Sequence, residues 1–96
     1  MSDPLALDFL FDQFRKERTY LKAVSPKTDD WYRTAFKAFQ AAPGEGFSRQ
    51  RLQAFVVVLR DRGVKPRSVN TYLQCMNAFG MWFHEERGVE RVRLPC

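Results

Sequence analysis

At 96 residues the chain suits one small domain, long enough for a single core with little to spare. It is 45% hydrophobic and 15% aromatic, with nine Phe, and carries a net charge of +5. Cys75 and Cys96 lie far apart and stand beside a single histidine, His84, which argues against a zinc site and against a disulfide-stapled scaffold. No apolar run is long enough to span a membrane, and the acidic start MSDPLALD lacks the basic region of a signal peptide. The expectation is a soluble, cytoplasmic protein without a cofactor.

The first helix is expected over about 4–22, with Asp3 as N-cap and Pro4 at the first position. Leu7, Leu10, Phe14 and Leu21 form its apolar stripe, with Phe11 beside it. Arg18 falls on the same stripe, where it either snorkels or meets a carboxylate. Phe9 points away from the stripe and is either loosely covered or held for another protein segment.

Ser25 caps a second helix over about 26–42, with Pro26 at the first position. Tyr32, Phe36 and Phe39 form its core face, while Lys27, Trp31, Thr34 and Ala38 share the opposite one. Trp31 at that place either stacks on a sugar or base or covers a neighbouring loop.

The run Pro43, Gly44, Glu45, Gly46 is a breaker. Ser48 caps a third helix over about 49–62, stopped by Gly63, with Leu52, Phe55, Val56 and Leu59 as its stripe. The run Val56, Val57, Val58 also suits a strand, but the caps and the flanking Arg and Gln favour a helix. The fourth and longest helix is expected over 66–87, from Pro66 to a stop at Gly88. Val69, Leu73, Met76, Gly80 and Phe83 recur at helical spacing, flanked by Tyr72 and Phe79. The opposite face holds Arg67, Asn70, Thr71 and Gln74, then Ala78, Met81 and Glu85. Cys75 reads as a packed free thiol. The other three helices are expected to cover this one, and Val89, Val92 and Leu94 in the tail show no regular period.

Charge is unevenly placed. The first helix is balanced, Arg15 included, and so are residues 25–46 and 68–96. The excess lies in 47–67, where Arg49, Arg51, Arg60, Arg62, Lys65 and Arg67 face only Asp61. A concentrated basic segment is the footprint of nucleic acid or of an acidic partner, beside the plain alternative of solubility.

Two stretches carry a resemblance. SPKT at 25–28 is followed by Tyr32, Phe36 and Phe39, and GVKPRSVNTYL at 63–73 is followed by FGMWFHEERG at 79–88. Both in this order, with one capped helix between them, resemble the N-terminal core-binding domain of tyrosine recombinases of the phage-integrase type. Three positions depart from the family pattern: Lys65 replaces a Ser before Pro66, Ser68 replaces a Thr, and Asp29 stands where an apolar residue is common.

The resemblance implies an all-α, SAM-like four-helix bundle of two crossed helical hairpins, filling 1–96 as one domain. It implies half of a clamp on double-stranded DNA, with the second and fourth helices against the major groove. Carried over, the DNA-binding residues are Lys27, Thr28, Trp31 and Thr34, then Lys65, Arg67, Ser68, Asn70, Thr71 and Gln74. The implied partners are duplex DNA, the catalytic domain of a parent recombinase and other recombinase protomers. The family's catalytic Tyr, Arg and His set belongs to a domain absent here, so this chain is expected to be no enzyme itself: an excised domain or a truncated gene product. RVRLPC at the end resembles the family's interdomain connector. The competing expectation is a SAM-like protein-interaction module using Phe9, Trp31 or the tail. A stand-alone dimeric transcription factor is a third reading, but no dimerisation heptad is present.

Overall fold

The computed structural model describes residues 7–44 and 46–94, and these form four α-helices: α1 (Leu7–Leu21), α2 (Pro26–Ala41), α3 (Arg49–Asp61) and α4 (Pro66–Arg87). No strand occurs among the described residues. The proposed cap at Asp3 and start at Pro4 lie outside them. Ser25 and Ser48 cap α2 and α3, their hydroxyls accepting from the backbone N–H of Thr28 and Arg51, each at 3.2 Å. Gly88 takes φ 65° and its N–H donates to His84 O at 3.0 Å, so α4 ends in the left-handed cap that glycine adopts at least cost. The valine run is helical, with Val57 facing solvent.

α4 packs against all three other helices, as expected, but α2 does so too, and α1 and α3 do not pack on each other. The architecture is therefore a central pair, α2 and α4, flanked by α1 and α3. α1 and α2 are antiparallel: Arg15 meets Asp29, Phe14 meets Tyr32 and Phe11 stacks on Phe36 with centroids 4.1 Å apart. α2 and α4 are parallel, since Trp31 meets Tyr72 and, further along both, Phe36 meets Phe79. Because α2 is enclosed from several sides, Ala38 is buried, although the sequence put it on the polar face.

Three sets of polar contacts fix the helices in place. The Arg15 guanidinium donates to both carboxylate oxygens of Asp29, at 2.9 and 2.8 Å. Asp29 is thus the anchor of α1 on α2. Trp82 Nε1 donates to Glu17 Oε2 at 2.7 Å, joining α4 to α1. Arg51 donates to the carbonyls of Gln40, Ala42 and Gly46 while its guanidinium lies 4.7 Å from the Phe39 ring centre. It closes the C-terminus of α2, where carbonyls lack helical partners. Arg18 lies over the Phe14 ring at 5.0 Å.

Two core expectations are corrected. Leu21 is 74% exposed. Arg15 is already level with Asp29 near the start of α2, so the last turn of α1 runs past the end of its partner, and Val24 packs on the core instead. Phe83 is only half-buried; one helical step round, Trp82 faces α1 and is buried.

Beyond Gly88 the chain turns back along α4. His84 Nδ1 lies 2.6 Å from Val89 O, Asn77 Nδ2 donates to Leu94 O at 2.8 Å, and Leu94 N donates to Asn77 Oδ1 at 3.1 Å. Gly80 makes room for this return, because a Cβ there would lie 2.4 Å from Val92 O.

Leu73 is 3% exposed in the face of α4 that meets its neighbours. Leu73→Ala is expected to cost about 2–5 kcal/mol in denaturant unfolding, as a buried truncation that leaves a cavity; a loss well under that range would contradict this packing. The hydrogen bonds from Arg15 hold the Asp29 carboxyl below its ordinary pKa. A depressed carboxylate contributes stability above its unfolded pKa, and that contribution is lost as pH falls through the lower folded value. Asp29→Asn should therefore lose stability at neutral pH and show a flatter acid limb than the wild type in pH-dependent thermal melts.

Candidate nucleic-acid interface

The parallel run of α2 and α4 sets two similar helix starts side by side. Pro26, Lys27 and Thr28 open α2; Pro66, Arg67 and Ser68 open α4. Trp31 and Tyr72, one turn and a half into their helices, lie 4.9 Å apart, so the two starts are nearly level. Each offers a proline at the first position, then a cation, then a hydroxyl. Both helix ends carry partial positive charge and N–H groups directed outward.

The two starts differ in one respect. Ser25 caps α2, and its Oγ also lies 3.0 Å from Thr28 Oγ1. Lys65 has no side-chain capping bond, so the first-turn N–H groups of Arg67 and Ser68 have no side-chain acceptor among the described residues. Lys65 thus brings a charge where Ser25 brings a cap, and leaves hydrogen-bond donors for an external acceptor.

Between the helices runs an open groove lined by Thr28, Trp31, Tyr32, Thr71, Gln74, Cys75 and Ala78. Four of the ten sequence-predicted residues, Thr28, Trp31, Thr71 and Gln74, meet there. Lys27, Lys65, Arg67 and Asn70 are exposed on the first turns beside it, and Ser68 is half-buried. Thr34 is not part of the groove; it lines a separate concavity with Asp30, Arg33 and Lys37. Trp31 is half-buried and packed on Tyr72 of α4, a helix and not the loop expected, and it also lines the groove. The Thr71 hydroxyl donates to Arg67 O at 3.1 Å, within its own helix.

Tyr32, Cys75 and Ala78 were not anticipated as lining residues. Ala78 had a readable signal: it is the small residue one turn after Gln74 on the polar face, where a wider side chain would fill the groove. Tyr32 and Cys75 are buried and reach the groove only from its floor. Burial pushes the Cys75 thiol up to about 11, and desolvation raises the Tyr32 phenol above its ordinary value. Neither is primed as a nucleophile.

The charge pattern also changes on folding. Arg51 is committed to the end of α2. Lys27, Arg49, Arg60, Arg62, Lys65 and Arg67 are exposed, and none takes part in the ion pairs found among the described residues, which are Arg15–Asp29, Lys16–Asp12 and Arg33–Asp30. Arg60, Arg62, Lys65 and Arg67 flank the short α3–α4 turn, so the unpaired cations concentrate near the start of α4. No group of three or more His, Cys, Asp or Glu among the described residues is placed to hold a metal ion, and no described helix is long and apolar enough to cross a membrane.

No family model, curated protein or solved structure matches this chain.

Proposed function

We propose that this chain is a duplex-DNA-binding domain of the tyrosine-recombinase core-binding kind, with its helices arranged as two crossed SAM-like hairpins. The observation that carries the reading is the level, parallel pair of helix starts, each with a proline, a cation and a hydroxyl, beside a cluster of cations without ion-pair partners among the described residues. A helix start offers N–H groups and positive potential to phosphate, and α-helices fit the major groove. In this reading Lys27, Lys65 and Ser68 hold phosphates, and Arg67, Asn70 and Gln74 face base edges. The catalytic domain of a parent recombinase closes the clamp, and neighbouring protomers assemble on the same DNA.

Lys27→Ala should weaken binding to all duplexes alike and flatten the plot of log affinity against log salt by about one unit, the effect of losing one phosphate contact. Arg67→Ala should also weaken binding and, where its fork spans a guanine edge, relax preference at one base pair by roughly 1–3 kcal/mol. Lys16→Ala is the control: it lies on α1, in a largely exposed pair with Asp12. Arg15 is unsuitable for that purpose because its removal frees Asp29. Fluorescence anisotropy titrations over a range of salt read all three, and a larger effect at Lys16 than at Lys27 or Arg67 would reject this face.

The domain binds DNA in this reading without breaking it. Tyr20 is exposed, Tyr72 packs on Trp31 and Tyr32 is buried, and none is grouped with a histidine. Incubation with supercoiled plasmid should yield neither nicked product nor a covalent adduct on a denaturing gel; an adduct removed by Tyr20→Phe, Tyr32→Phe or Tyr72→Phe would overturn this.

A protein-interaction role is the second reading, favoured by the exposure of Phe9, Tyr20 and Leu21 on α1. It is distinguished by a partner contact that does not weaken with salt.

A further inference from the structure

The return of residues 89–94 along α4 is built from contacts of an unusual kind. Asn77 uses both ends of its amide on one residue, accepting from Leu94 N–H and donating to Leu94 C=O. This is the pairing a strand would offer, supplied by a helix side chain. Gly80 admits the Val92 carbonyl where any Cβ would collide with it. At the other end, Gly88 supplies the left-handed turn and His84 meets the first carbonyl. Val92 and Leu94 pack against the core, while Arg91 and Arg93 are exposed. Alternation of this sort is that of an extended segment with one face docked.

The seat recognises main chain more than side chain, and it lies well back along the helix. Asn77 precedes Gly88 by eleven residues, or about 16 Å of helix rise. Six extended residues reach roughly 20 Å, enough to cover that distance.

We propose that residues 89–94 form a latched strap, a unit that docks on and releases from α4 about Gly88 while the four helices stay folded. Asn77 is the latch and Gly80 the clearance that lets it close. When closed, the strap takes the chain from the tip of α4 back to the middle of its length. Asn77 and Gly80 are positioning residues: they decide whether residues 89–94 lie along α4 or stand free of it. The strap stands on its own contacts and is independent of the DNA reading.

Trypsin tests this directly, because Arg91 and Arg93 place two cleavage sites within the strap and Arg62, in the exposed α3–α4 turn, supplies an internal reference. In the full chain, cleavage after Arg91 and Arg93 should be slow. Asn77→Ala should speed it by about tenfold relative to cleavage after Arg62, as expected when a locally opening segment loses its latch. Gly80→Ala should do the same through the collision with Val92 O, and because that Cβ also approaches Phe47, Asn77→Ala remains the deciding variant. The helical circular dichroism of Asn77→Ala should match the wild type. Wild-type cleavage after Arg91 as fast as in Asn77→Ala would overturn the strap. Equal acceleration at Arg62, Arg91 and Arg93 would overturn it as well, since release would then require the helices to unfold. Neither outcome involves DNA, so failure of the strap and failure of the groove reading are separate results.

Discussion

The packing of this domain depends on Phe79. Its fully buried ring meets Phe11 and Phe14 of α1, Phe36 of α2, Phe47 ahead of α3, and Trp82 and Phe83 of α4, with centroid separations of 4.6–5.7 Å. Several of these contacts are edge-to-face, the geometry in which the positive edge of one ring meets the negative face of another. One side chain near the middle of α4 thus brings three helices and a connection to a common point. α3 joins the same cluster indirectly, through Phe55 against Phe39 and Phe39 against Phe47. In a chain this short, aromatic side chains supply buried area that a longer chain would spread over many aliphatic ones.

Around that cluster, charged groups act as fasteners. Arg15 with Asp29 and Glu17 with Trp82 hold α1 from two sides, and Arg51 closes the end of α2. None of these is a simple surface ion pair: each joins one element to another, and each carries direct hydrogen bonds. Counting charges along the chain treats Arg51 as equivalent to Arg49 and Arg60, and folding separates them. What faces outward is the remainder, concentrated where α3 gives way to α4.

The helices and most of the core were readable because they follow local rules. Serine caps, first-position prolines and terminal glycines set the ends of α2, α3 and α4, and helical periodicity placed Leu52, Phe55, Leu73 and Met76 inside. Leu21 and Phe83 were misread for a non-local reason: their burial depends on where α1 lies against its partners, which periodicity within one helix does not encode. The same holds for Asp29, whose meaning lies in Arg15 on another helix. At the candidate interface, the two helix starts were legible from their tripeptides. Their alignment was not, since it follows from α2 and α4 running in the same direction, nor was the exclusion of Thr34, which lies on another face of α2 with Asp30, Arg33 and Lys37. The returning tail was illegible because a helix side chain, rather than a periodic strand partner, satisfies its main chain.

The parallel direction of α2 and α4 has a consequence for the free domain. Antiparallel neighbours place opposite partial charges side by side; parallel neighbours place like ones together, roughly half an elementary charge at each helix end. Here Lys27, Lys65 and Arg67 add full charges to the same edge. The folded state therefore contains a self-repulsion that an unfolded chain, with those groups dispersed, largely avoids. Dissolved salt screens it over a Debye length of about 8–10 Å at moderate ionic strength. Ionic strength then acts on this edge in two opposed senses. It relaxes the repulsion within the protein, and it weakens the attraction of any polyanion to the same surface. The conditions that make this edge most comfortable are those in which it attracts least.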